Sequence, residues 1–304
     1  SPRMGPEAFL HLQGGCRLNI SKTSPCSTPS TATPEPSPRM GPEVLLPSLD
    51  VSFEVSDFRP AGYSPVLPDL NQQHLRPQIL NALGLPLSSK LERAKGFCGG
   101  LNAGIWFLRG DGEEFVLKLV KFDPTAPAQL VEERQFQKLY KEFPEIVDDD
   151  GLAFPCRILR ILGPSNVRYH DLIVMRKVPG KTLETVIYEK WRSKQLPELM
   201  AILEKVGKHM AEFHRRYGGK QHCDAGPQNM IYDEESEHFT LIDVGGMGNR
   251  CSKSDVERFC QVIKRLSGGR GYGPELAAGI EHFEKGYDAA RALDGAGAFA
   301  CRCS

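Results

Sequence analysis

The sequence predicts an α+β fold in which strands come first and helices follow. Two patterns carry that expectation. Over residues 94–120, short apolar runs flank Asp111-Gly112, the composition of a tight hairpin turn. Over residues 196–217, Leu199, Ile202, Leu203, Val206, Met210 and Phe213 recur at helical spacing and mark a core helix. Between them, residues 153–163 and 166–177 read as two more strands.

Composition bounds the possibilities. A chain of 304 residues is long enough for a two-part domain with a real core. Its 38 basic and 38 acidic residues cancel, so no global field draws it to nucleic acid or to an anionic membrane. No apolar run approaches the ~20 residues that span a bilayer. Ser1-Pro2-Arg3-Met4 lacks the apolar run of a secretory signal, and a start at Ser leaves room for an upstream segment. The nine cysteines are odd in number and form no C-x-x-C pair. Cys301-Arg302-Cys303 is too little for a zinc site. Reduced thiols in a cytoplasmic protein are the expectation.

Residues 1–50 read as a disordered tail rich in Pro, Ser and Thr, with too little apolar surface to offset ordering. Ser-Pro-Arg-Met-Gly-Pro-Glu occurs there twice, and Ser24, Thr28, Thr33 and Ser37 each precede Pro. Residues 51–87 are transitional. Arg59-Pro60 and Ser64-Pro65 interrupt any strand early, and residues 74–83 suit a short helix stopped by Gly84 and Pro86.

The chemistry-bearing residues follow in order. Gly99, Gly100 and Asn102 form a glycine-rich turn, and glycines let backbone approach phosphates closely. Lys118 sits within the apolar strand Phe115-Val116-Leu117-Lys118-Leu119-Val120. Residues 127–140 suit a helix on which Glu132 shares a face with Phe136 and Leu139, Glu133 being the reserve. Then come His222-Cys223-Asp224-Ala225-Gly226-Pro227-Gln228-Asn229 and, further on, Leu241-Ile242-Asp243-Val244-Gly245. An Asp to engage a hydroxyl, with an Asn and a second Asp to hold Mg²⁺, is the hardware of phosphoryl transfer from ATP.

Strand Lys, helix Glu, H-x-D-x-x-x-x-N and I-D-x-G, in this order over about residues 96–263, resemble the protein-kinase-like fold. The closest likeness is to the aminoglycoside phosphotransferase and choline kinase branch. The resemblance implies a bilobal α+β molecule: an antiparallel sheet with one helix, then a mostly helical lobe. It divides the chain into residues 1–50 as tail, 51–177 as nucleotide-binding lobe, 178–294 as catalytic and acceptor lobe, and 295–304 as a flexible tail.

By the same resemblance Asp224 is the catalytic residue, and Asn229 and Asp243 are the Mg²⁺ ligands. Gly99, Gly100, Asn102, Lys118, Glu132, Met175 and Val178 serve ATP. Glu132 would orient Lys118, and backbone groups at residues 176–178 would meet adenine. His214 is given a packing role, His222 holds the loop, Asp255 braces it, and Cys223 replaces a common Gly.

The implied activity is ATP- and Mg²⁺-dependent transfer of the γ-phosphate to a hydroxyl of a small molecule. The implied partner is that acceptor, with no nucleic acid and no membrane. A compact atypical Ser/Thr protein kinase and a nucleotide-binding pseudokinase scaffold are the alternatives. The absence of an A-P-E segment weighs against the former, and retention of all four key residues against the latter. The chain ends at Ser304, soon after Asp255. Little is left there to build an acceptor pocket of the family's kind, so the acceptor stays unnamed.

Overall fold

The computed structural model describes residues 53–56, 69–94, 102–121, 132–162, 168–269 and 273–300. In chain order the elements are β1 (Phe53–Ser56), α1 (Leu75–Ala82), β2 (Lys90–Arg93), β3 (Asn102–Gly110), β4 (Glu113–Lys121) and α2 (Glu132–Glu142). There follow β5 (Pro155–Leu162), β6 (Arg168–Arg176), β7 (Lys181–Thr182), α3 (Leu183–Arg192), α4 (Leu196–Arg216), β8 (Met230–Asp233), β9 (His238–Leu241), α5 (Asp255–Gly269) and α6 (Gly273–Ala300). The fold is α+β: a sheet-rich first half, then a helix-rich second half.

The large sheet has the order β1-β5-β6-β4-β3-β2. It is antiparallel except at one edge, where β1 runs parallel to β5. The expected antiparallel sheet thus has one parallel edge, and the transitional residues 51–87 contain a short strand. The prolines at 60 and 65 lie beyond Ser56 and leave the short edge strand intact. The Asp111-Gly112 hairpin forms as expected. Both residues have positive φ, 51° and 78°, which matches the right-handed twist of the strands it joins.

Strand periodicity sorts the sheet into two faces. Leu117, Leu119, Leu159, Ile161, Leu172 and Val174 lie on one face, where they form a core with Leu75, Ile79 and Leu80 of α1 and with Trp106. Val120, Ile158 and Ile173 lie on the other and join the larger core of the helical half. Lys118 shares the parity of Val120, so the pleat sends it toward the helices.

In the helical half, α4 buries Leu199, Ile202, Leu203, Val206, Met210 and Phe213, as its periodicity dictates. It packs along α6 at glycines. A Cβ at Gly207 would strike the Phe283 carbonyl, and one at Gly286 the Glu204 carbonyl. The flexible tail expected from residue 295 is helical to Ala300. Gly295 and Gly297 suggest a break, but alternate with the strong helix former Ala within an established helix. A second small sheet, β7-β8-β9, holds the residues that flank Asn229 and Asp243. Among the described residues no helix is long and apolar enough to cross a membrane.

A cavity of about 330 Å³ lies between α4, β9 and the Asp149–Leu152 turn, with His209 in its wall. Burial, together with the nearby His238, pulls the His209 pKa down to about 4. The unfolded chain binds a proton at this residue near its ordinary value of 6.5. Between those values the unfolded state holds more protons, so stability rises with pH there and is lost as pH falls from about 6.5 toward 4. His209→Gln should reduce that loss in urea titrations repeated at several pH values. An unchanged pH slope in the variant would absolve His209.

Candidate active site

The site is built upward from the first residue of α5. Asp255 is wholly buried. Its carboxylate accepts the backbone N–H groups of His222 at 2.6 Å and Cys223 at 2.9 Å, and Nε2–H of His214 at 3.0 Å. The Tyr287 hydroxyl lies 2.9 Å from Nδ1 of His214. Burial opposes the charge on Asp255, but His214 and the His222 N–H outweigh it and hold the pKa below the usual carboxylate range. His214 is thus a hydrogen-bonding link across α4, α5 and α6, which corrects the packing role. The Asp255 N–H donates to Gln221 Oε1 at 2.8 Å, closing the clamp from the other side.

His222 sits fully buried above this clamp. The network assigns its tautomer. Nε2–H donates to the Ile242 carbonyl at 2.9 Å, and Nδ1 accepts the Asp224 N–H at 3.3 Å. Burial lowers its pKa, so the neutral ring is the form the site uses. One imidazole therefore joins the residue before Asp243 to Asp224 itself.

Cys223, between them, has φ of 69°. This left-handed backbone is the conformation glycine adopts without strain, so the structure supplies a reason for the Gly of the resembled motif. Cys223 is disulfide-bonded to Cys251, with Cα atoms 5.4 Å apart and a separation of 28 in sequence. The expectation of reduced thiols fails for this pair. Among the described residues Cys156 and Cys260 are free, and burial raises both thiols to about 11.

Asp224 is half-exposed. Its Oδ2 accepts from Asn229 Nδ2 at 2.9 Å, and Oδ1 from Arg258 Nη1 at 2.9 Å. Pro227–Asn229 forms a single 3₁₀ turn, which brings Asn229 back to Asp224. Since the Asn229 NH₂ group is engaged with Asp224, its amide oxygen is the atom it would lend to a cation. The Ile242 N–H donates to the Asn229 carbonyl at 3.0 Å, fixing the next segment in register.

Asp243 follows β9 in a left-handed conformation, φ 59° and ψ 45°. Lys118 Nζ lies 2.6 Å from its Oδ1, a contact between residues 125 apart in sequence. The face parity of β4 and the turn after β9 make that contact.

The other expected residues fall out as follows. Gly99 and Gly100 lie outside the described residues. Asn102 begins β3 opposite Val120, with a bulge beside it, and only its backbone is described. Glu132 begins α2, again with only its backbone described. The reserve, Glu133, does not meet Lys118. It is buried against Arg160 at 2.7 Å and against Arg168, which also pairs with Asp171. Met175 pairs with Val116 across β4 and packs on the larger core.

Val178 lines a different pocket of about 280 Å³, with Asp150, His238 and Thr240. That pocket shares no residue with the Asp224 cluster, and neither does the His209 cavity. The Lys177 N–H is spent on the Glu114 carbonyl at 2.8 Å, which removes one of the backbone donors expected to meet adenine.

Sequence reasoning missed Arg258, Tyr287 and Cys251. A signal existed only for Arg258, which lies three residues after Asp255 on the same helix face.

Among the described residues no cluster of three or more His, Cys, Asp or Glu is placed to hold a metal. A Mg²⁺ held by one carboxylate, one amide oxygen and phosphates needs no such cluster. The oxygens of Asp243 and Asn229 fit that hard-ligand requirement. No protein-family model matches this chain, and no curated protein matches it.

Reduction of the disulfide should lower stability by about 3 kcal/mol, from restored freedom of the unfolded loop. Cys251→Ser should show the same loss and no further response to dithiothreitol in thermal melts. A wild-type melt that ignores the reductant would mean that the bond does not form in solution.

Proposed function

We propose that the chain is an ATP- and Mg²⁺-dependent phosphotransferase of the protein-kinase-like fold, similar to the aminoglycoside phosphotransferase and choline kinase branch. It would transfer the γ-phosphate to a hydroxyl of a small molecule. The observation that carries this reading is the 2.6 Å contact of the strand residue Lys118 with Asp243, beside the hydrogen-bonded Asp224–Asn229 pair. Lys118 reaches Asp243 from 125 residues away, and His222 ties the backbone of Asp224 to Ile242, the residue before Asp243.

Each has a role that follows from its chemistry. Asp224 is half-exposed and held at its backbone by His222, so it can orient an acceptor hydroxyl and take its proton as the new P–O bond forms. The transition state is loose, so orientation counts for more than base strength. Asn229 and Asp243 would hold Mg²⁺, which when bound neutralises charge on the phosphates. Lys118 pairs with Asp243 here and has the reach to exchange that partner for phosphate oxygens. The pair itself is partly exposed and adds little stability. Its value lies in keeping the cation aimed at the site.

The test is ADP release over a panel of hydroxyl compounds, with Mg-ATP binding followed by calorimetry. Asp224→Ala should cut turnover at least about a hundredfold while Mg-ATP still binds. Lys118→Met should weaken nucleotide binding. A wild-type protein that does not bind Mg-ATP would end this reading.

A further inference from the structure

We infer that Arg258 reads a negative charge on the acceptor, so that the compound phosphorylated is an anionic alcohol bearing a carboxylate or a phosphate, not an amino sugar or amino alcohol. The inference rests on the reading of Asp224 as the residue that engages the acceptor hydroxyl.

Both oxygens of Asp224 are taken: Oδ2 by Asn229 and Oδ1 by Nη1 of Arg258. An incoming hydroxyl must share or displace the Arg258 contact, since Asn229 also bonds the Asp224 carbonyl at 3.0 Å. The Arg258 Nε–H is already buried without a hydrogen-bond partner, so an anion that takes Nε together with a second N–H of the guanidinium would satisfy two donors at once.

An acceptor that brings its own carboxylate or phosphate supplies that anion, because the planar fork of Arg matches both groups bidentately. A cationic acceptor would instead be pressed against a fixed like charge.

The segment leading to α5 has the same sign. Arg250 is exposed there, and Lys253 is hydrogen-bonded to the neutral Gln261 at 2.7 Å. Of the two acids that follow at the start of α5, Asp255 is buried beneath the catalytic loop, and Glu257 accepts from the Ser254 N–H at 2.8 Å and keeps its charge. The Cys223–Cys251 disulfide keeps this basic segment beside Asp224.

A matched acceptor set tests the inference: glycerate, glycerol 3-phosphate, glycerol and 3-amino-1,2-propanediol, assayed by ADP release with Mg-ATP. One or both anions should exceed glycerol in kcat/KM by about tenfold or more, with the amine lowest; which anion leads identifies the group read. Arg258→Gln should raise KM for the favoured anion by about ten- to a hundredfold and narrow its advantage over glycerol. Arg258→Lys should fall between. Melting curves of both variants check that they fold.

Three results would overturn the inference. These are equal or better turnover of the amine, an Arg258→Gln defect confined to kcat and equal on all acceptors, and Mg-ATP binding with no member turned over. Failure to bind Mg-ATP would instead bring down the phosphotransferase reading on which the inference stands.

Discussion

The buried carboxylate of Asp255 is the constraint on which the site depends. It accepts two consecutive backbone N–H groups, from His222 and Cys223, which no helix or sheet ladder satisfies. A loop that presents Asp224 and Asn229 to solvent must turn sharply, and sharp turns leave donors unpaired. Asp255 collects them at one point, and its charge makes each bond stronger than a neutral acceptor would. His214 and Tyr287 then tie that point to α4 and α6. The Asp224 loop is thereby fixed to three helices through one side chain.

The sheet contributes the other half of the geometry. Its alternation puts Leu117 and Leu119 under α1 and sends Lys118 the opposite way. A slip of one residue in β4 would bury the Lys and expose its neighbours, so the apolar pattern that stabilises the sheet also aims the cation. The Glu133–Arg160–Arg168–Asp171 network anchors α2 to β5 and β6. It does so without contacting Lys118.

What the sequence revealed follows from which interactions are local. The Asp111-Gly112 turn, the α4 stripe and the strand parity of Lys118 depend on near neighbours, and all could be read. The Cys223–Cys251 pairing could not, since a separation of 28 residues says nothing about proximity. The β1–β5 parallel edge was hidden because a four-residue strand has no pattern of its own. The α6 extension past Gly295 was hidden because glycine argues locally against a helix that its neighbours sustain. At the candidate site, motif order singled out Lys118 and Asp243, which meet, and Asp224 and Asn229, which are hydrogen-bonded to each other. The Arg258 contact carried one signal, its place three residues after Asp255 on the same face of α5, but nothing local said that this face looks at Asp224.

The imidazole of His222 spans Asp224 and Ile242 with a ring that neither stretches nor bends. It therefore acts as a spacer gauge between the segment carrying Asp224 and the segment carrying Asp243. A single proton would spoil it. Protonated Nδ1 would present a hydrogen to the Asp224 N–H, donor against donor, while the bond to Ile242 survived. The Asp224 side would loosen while the Asp243 side kept its bond to the ring, so the two segments would lose their common register.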